Sequence, residues 1–312
     1  MSPTAARRKA TRPNAAPEQR IEVRKTYKLY IGGAFPRSES GRTYEVSDSR
    51  GRFLANAAMG SRKDARDAVV AARGALGKWA AATAYNRGQV LYRVAELMEG
   101  RRAQFAAEVA AAEGFTPDRS DKVVSQAIDR WVWYAGWSDK LAQVLGGVNP
   151  VAGPYFNISA PEPTGVVAAL APQRSSLLGL VSVLAPIVVS GNTAVVLTSE
   201  HRPLPAITLS EVLATSDVPA GVINLITGRT AEVAPWLAAH QDVNAIDLAG
   251  AADVDGLAWA DLERAAAENL KRVLRPAGDG ADAVEPDWSL TPDLSRMKAY
   301  LETKTVWHPK GH

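Results

Sequence analysis

Between residues 162 and 274 short β-rich runs alternate with helical stretches, and no other feature constrains the fold as tightly. The runs are Gly165–Ala171, Thr193–Leu197, Gly221–Thr227 and Ala245–Ala249. The helical stretches are Leu177–Val189, Leu204–Thr215, Ala231–His240 and about Leu257–Asn269. Strands that are apolar along their whole length need cover on both faces, and alternating helices supply it. The predicted class is therefore α/β, with a doubly wound parallel sheet. Ligands of such sheets bind beyond the carboxyl ends of the strands. Leu177–Val189 is also the longest apolar run, at 13 residues, and it contains Pro186. It is too short to span a bilayer and reads as a buried helix, so no membrane association is expected.

Upstream, Lys28–Ile31 alternates like a strand and Gly32-Gly33 turns it. Ser61 stands three residues before Asp64, which predicts a capping box and a helix to about Trp79. A second helix is predicted from about Tyr85 to Glu113, ended by Gly114. A third, about Ser120–Lys140, carries Ile128, Trp131, Tyr134 and Trp137 at helical spacing, which reads as core. From Gly146 to Pro161 apolar residues stand between glycines and prolines, a pattern that predicts a hairpin. Residues 275–292 are polar and read as a linker, followed by a helix near Leu294–Leu301 and a strand at Thr303–His308. The divisions that result are a tail at 1–25, a helical part at 26–145, a hairpin at 146–161 and an alternating part at 162–274. The linker, 275–292, and a terminal segment, 293–312, complete them.

The formal charge of +3 is misleading, because the first 25 residues hold seven basic and two acidic side chains. The remainder is mildly acidic. The tail reads as solvated and disordered. A transit peptide or a nucleic-acid arm is the other reading of it, and no nucleic-acid partner is expected. It lacks the apolar centre of a secretory signal, so a cytoplasmic location is expected. There is no cysteine, which excludes disulfides, thiolate metal sites and a cysteine nucleophile within these 312 residues. The four histidines show no ligand spacing, and no metal site is expected.

Several segments together resemble the aldehyde dehydrogenase family. They include Glu162-Pro163-Thr164-Gly165-Val166-Val167, Ala185-Pro186, Gly191-Asn192-Thr193-Ala194-Val195-Val196 and the stretch from Pro219 to Gly228. The helical part with Trp79, Arg87 and Leu91 is similar to the family's leading segment, and Asn269–Val273 resembles the strand that enters its catalytic domain. Tyr300–Trp307 resembles the family's extreme carboxyl terminus. The resemblance implies a Rossmann-like cofactor-type domain with N-terminal helices and a small three-stranded oligomerisation sheet. It also implies that residues 275–292 stand where the family carries its catalytic domain.

The family's reaction needs a cysteine thiolate to attack the aldehyde before hydride leaves for a nicotinamide. Here no catalytic residue is expected. Pro276 falls where the family has its general-base glutamate, and Pro172-Gln173-Arg174 stands for its oxyanion motif. The cofactor positions implied by the resemblance are Thr198, Glu200, Gly228 and Gly250, in a degraded form. Thr198 replaces a lysine, and losing one charge-assisted hydrogen bond costs about 1.5–3 kcal/mol. Asp247, Asp253 and Asp255 are expected to surround the pyrophosphate turn and repel an anion. No cofactor is expected, and a vestigial NAD(P) site is the alternative. The retained assembly residues are Val151, Tyr155, Phe156 and Ile158 in the hairpin, with Thr303, Thr305, Val306 and Trp307 in the last strand. The implied function is a non-catalytic pseudo-subunit that assembles with a full-length NAD(P)-dependent aldehyde dehydrogenase. The alternative is a residual NAD(P)-binding oxidoreductase with altered chemistry.

Overall fold

The chain was analysed as a computed structural model that describes residues 25–278 and 283–311. The basic tail, apart from Lys25, lies outside the described residues. Three short strands, β1 (Thr26–Tyr27), β2 (Thr43–Ser47) and β3 (Phe53–Ala58), form a small mixed sheet in the order β1-β3-β2. The β2–β3 hairpin has no counterpart in the sequence reading. Lys28–Ile31 is not a ladder strand. Tyr30 exchanges two backbone hydrogen bonds with Leu225, and Ile31 exchanges two with Ala34 around the left-handed Gly32-Gly33 turn.

Helix α1 (Arg62–Ala81) opens on the expected capping box, in which Ser61 and Asp64 each accept the other's backbone N–H. The single helix expected from Tyr85 to Glu113 is two: α2 (Ala84–Glu99) and α3 (Arg102–Glu113). The break falls at Gly100-Arg101. Glycine weakens a helix there, and both halves pack on the helices that follow at Pro117–Trp137 and Leu204–Leu213, with α2 also reaching the one at Leu178–Val189. Helix α4 (Pro117–Trp137) buries Ile128, Trp131 and Tyr134, and its Trp137 packs partly buried against the same core. A short α5 (Leu141–Leu145) follows.

The hairpin is β4 (Gly147–Asn149) and β5 (Tyr155–Pro163). The alternation then unfolds nearly as read: β6 (Val166–Leu170), α6 (Leu178–Val189), β7 (Thr193–Leu197), α7 (Leu204–Leu213), β8 (Ile223–Ile226), α8 (Thr230–Ala239) and β9 (Ala245–Asp247). Helix α9 (Trp259–Ala267) and β10 (Arg272–Leu274) complete it. The five strands are all parallel in the order β10-β9-β6-β7-β8. Every residue of β6, β7, β8 and β9 is buried. Helix α6 is buried along its whole length. Two core clusters lie on opposite sides of the sheet: α2, α4 and α6 contribute to one, α1, α8 and α9 to the other.

The terminal segment is tied into this body. Helix α10 (Ser295–Ala299) and β11 (Leu301–Pro309) follow the linker, and β11 pairs antiparallel with β5 over nine residues. The tie is Asp247, which is fully buried at the end of β9. Its Oδ1 accepts the Ala249 N–H. Its Oδ2 accepts from Arg296 Nη1 at 2.5 Å and from the Tyr300 hydroxyl at 2.6 Å. Burial and the adjoining carboxylate push the Tyr300 phenol well above its ordinary value, which keeps it a donor. The Tyr300 carbonyl in turn accepts from Asn192 Nδ2 and from the Thr164 N–H. The expected linker is likewise docked at its end: Arg130 donates to the carbonyls of Trp288 and Leu290 and to Ser182 Oγ. Arg296→Met leaves a buried carboxylate short of its counter-charge and should cost about 3–5 kcal/mol in urea unfolding. Tyr300→Phe should cost about 1–3 kcal/mol. A loss below about 1 kcal/mol for Arg296→Met would remove the clamp from its structural role.

Candidate functional site

Strand β6 is central, and the chain leaves it toward β7 and β8 on one side and lies against β9 and β10 on the other. The crevice beyond its carboxyl end is the switch point at which open α/β sheets take ligands. Thr198, at the end of β7, is fully buried, and its hydroxyl has no hydrogen-bond partner among the described residues. The next residue, Ser199, donates to the Gln173 carbonyl, and the Glu200 N–H donates to Gln173 Oε1 at 3.0 Å. The Glu200 carboxylate pairs with Arg229 and accepts the Thr230 N–H at the start of α8. Gly228 has φ +149°, and a Cβ there would lie 3.0 Å from the Gly60 nitrogen. Thr198, Glu200 and Gly228 thus cluster at the ends of β7 and β8. Gly250 lies across β6, where an added Cβ would come within 2.1 Å of the Ala171 carbonyl. That position is closed by the chain's own backbone.

The expected ring of three aspartates is corrected. Asp247 is buried, with Oδ2 turned inward to Arg296 and Tyr300 and Oδ1 taken by the Ala249 N–H of the turn itself, so it is not a free charge at the rim. Asp253 does face the crevice, and Arg174 holds it at 2.6 Å. A cleft of about 520 Å³ lies between Gln173-Arg174, His201-Arg202 and 252–255. The Arg174 side chain is therefore engaged, as is the backbone of its loop. The N–H groups of Gln173 and Arg174 both donate to Glu285 Oε2 at 3.0 Å, and that of Ser175 donates to Oε1 at 3.3 Å. The Ser176 N–H and hydroxyl donate to Glu113 Oε1. Burial raises the pKa of both carboxyls, and for Glu285 the nearby Asp253 adds to it. Arg229, Glu113 and Glu285 are not singled out from the sequence. They carry no motif, and Glu285 sits in a polar stretch indistinguishable from linker. Among the described residues no cluster of His, Asp and Glu could hold a metal ion.

The expected assembly positions come together in a third sheet, antiparallel, in the order β11-β5-β4. Val151 is the exception: it lies in the β4–β5 connection, outside any strand. Register places Val148 and Val306 on either side of Ile158, and Phe156 follows the alternation onto the same face. All four are exposed, Val148 the most at 72%. The other face carries Tyr155 against Trp307, and a polar row in which Ser159 and Thr305 hydroxyls meet at 2.8 Å. Thr303 is exposed on that same face. One edge strand, β4, has three residues, whereas the other, β11, offers nine along an edge that no further strand pairs among the described residues.

The aldehyde dehydrogenase family model matches residues 35–284, so the chain belongs to the aldehyde dehydrogenase family. A putative aldehyde dehydrogenase, DhaS, of Bacillus subtilis is 31% identical over 271 residues, covering 85% of this chain and 53% of that protein. The mitochondrial aldehyde dehydrogenase family 2 member B4 of Arabidopsis thaliana is 33% identical, covering 80% and 46%. Among solved structures, HpcC of Thermus thermophilus superimposes with a TM-score of 0.74 at 27% identity, over 81% of this chain and 48% of that one. The NAD+ complex of an aldehyde dehydrogenase from Bacillus cereus gives 0.73 at 25% identity, over 80% and 50%. The chain spans about half the length of the curated relatives it matches.

A raised Glu113 means that the folded chain holds this proton more tightly than the unfolded chain does. Its contribution to stability is full below the ordinary carboxyl range and is lost as pH rises through the folded value. Glu113→Gln removes that loss. The stability of the variant minus that of the wild type should therefore increase from acid to neutral pH, as read by urea unfolding. A flat or falling difference would refute the assignment.

Proposed function

We propose that this chain is a non-catalytic member of the aldehyde dehydrogenase family. It assembles with a full-length NAD(P)-dependent aldehyde dehydrogenase and stabilises or regulates it. The observation that carries this reading is the β11-β5-β4 sheet. Its apolar face, Val148, Phe156, Ile158 and Val306, is exposed, and β11 presents a long free edge. A small sheet without cover is marginal in water, and such an edge invites a further strand. A partner that adds a strand to β11 and covers this face resolves both problems at once.

Two further observations support the absence of catalysis by the chain itself. Its 312 residues contain no cysteine to attack an aldehyde. The crevice beyond β6 also fits a dinucleotide poorly. Glu200 is already held by Arg229 and the Thr230 N–H, and the N–H groups of residues 173–175 are held by Glu285. Gly250 is packed onto Ala171. In this reading the chain supplies contact, and the partner supplies cofactor and nucleophile.

Co-expression with a full-length family member of the same host tests this directly. The two chains should co-elute, and Val306→Asp should abolish co-elution while changing the stability of the isolated chain by less than about 0.5 kcal/mol. A soluble monomer that ignores such partners would sink the proposal. Calorimetric titration with NAD+ should give no saturable heat, whereas saturable binding would favour a residual oxidoreductase.

A further inference from the structure

The start of α1 carries charge of the sign that a helix start disfavours. The positive end of a helix dipole favours carboxylates and repels cations, yet the opening residues of α1 include Arg62, Lys63 and Arg66. Asp64 is the one acid in the first turn, and it is turned inward, only 4% exposed. Its oxygens accept from Ser38 Oγ and from the N–H groups of Glu39 and Ser61. Two of the cations have carboxylate partners, Lys63 in Glu39 and Arg66 in Asp67, and both pairs are exposed on either side. Exposed pairs of this kind neutralise charge weakly. Arg62 has no carboxylate partner among the described residues and lies instead over the Trp236 indole, 4.5 Å from the ring centroid.

Trp236 stands on α8 and is 47% exposed, and a cleft of about 390 Å³ lies between it and the start of α1. That volume is in the range of small-molecule sites. Arg62, Lys63 and Arg66 line the cleft with Trp236 and His240, and no carboxylate is among its lining residues. His240 Nδ1 accepts the Asp242 N–H, which leaves Nε2 as the donor of the ring. An exposed indole ringed by weakly neutralised cations is complementary to an aromatic anion. The indole offers a stacking face, and guanidinium groups pair bidentately with phosphate. We propose that this cleft is a binding site for a small aromatic phosphate ester. The ring of the ester stacks on Trp236, and Arg62 and Arg66 hold its phosphate at the positive end of α1. Lys63 and His240 Nε2 supply further donors. The lining residues belong neither to the crevice beyond β6 nor to the β11-β5-β4 sheet, so the site is independent of the assembly proposed above.

The test is calorimetric titration of the whole chain with phenyl phosphate, and with inorganic phosphate at equal ionic strength. Phenyl phosphate should bind saturably and about tenfold or more tightly than inorganic phosphate, the margin that stacking on an indole supplies. Trp236→Leu should remove that margin. Replacing both arginines, Arg62→Gln with Arg66→Gln, should weaken phenyl phosphate about tenfold or more. All three positions are exposed, so the variants should fold as the wild type does. Absence of saturable binding, equal affinity for the two phosphates, or an affinity unchanged in either variant would overturn the proposal. A measurement on the wild type alone covers a variant that folds poorly. Phenyl phosphate should slow the modification of Arg62 and Arg66 by phenylglyoxal, read by peptide mass spectrometry, and leave the exposed Arg52 and Arg264 unaffected. Equal rates at Arg62 and Arg66 with and without phenyl phosphate would overturn it as well.

Discussion

A fully buried carboxylate ties the terminal segment of this molecule to its parallel sheet. Asp247 is placed by the parallel sheet, at the last position of β9, and everything it binds comes from elsewhere: its own turn through Ala249, and the terminal segment through Arg296 and Tyr300. Breaking such a buried pair is far more costly than never having built it, so the pair fixes where residues 295–300 must lie. From that anchor the chain enters β11 at Leu301, opposite Pro163, and runs the length of β5. The exposed β11-β5-β4 sheet is therefore an extension of the buried core, reached through one ion pair and one hydroxyl.

The same economy governs the crevice. Donors and acceptors that a ligand could use are matched to one another: Glu200 with Arg229, Asp253 with Arg174, and residues 173–175 with Glu285. Each pairing satisfies a group that would otherwise be desolvated without a partner. The result is a family fold whose customary ligand end is largely paired within the chain, Thr198 Oγ1 and Asp253 Oδ2 apart, while the apolar face of its small sheet is left exposed. That contrast is the physical basis of the proposed reading, in which the chain contributes contact and not turnover.

The parallel sheet was legible because its signals are local: fully apolar strands such as Val166–Leu170, separated by helices of ordinary length. So was the start of α1, where Ser61 and Asp64 are three residues apart. The α2–α3 break was missed because the apolar spacing runs on through Gly100. The orientation of Asp247 was missed for a different reason. Its partners stand 49 and 53 residues away, beyond a stretch that carries no motif. Glu285 is the same case at 112 residues from Gln173. Local patterns report elements, whereas which charge closes on which is decided by the assembled tertiary structure.

The long reach of β11 also sets an order of events. Thr305 meets Ser159 across 146 residues of chain, and contacts so distant in sequence form late. During synthesis the amino-terminal helices and the parallel sheet can collapse well before residue 301 exists. Until then β5 lacks its long neighbour, and the surface proposed for assembly has not been made. In the proposed reading docking competence thus arrives last, as a sign that the body beneath it is already folded, and a chain stalled short of that point would lack the β11 edge.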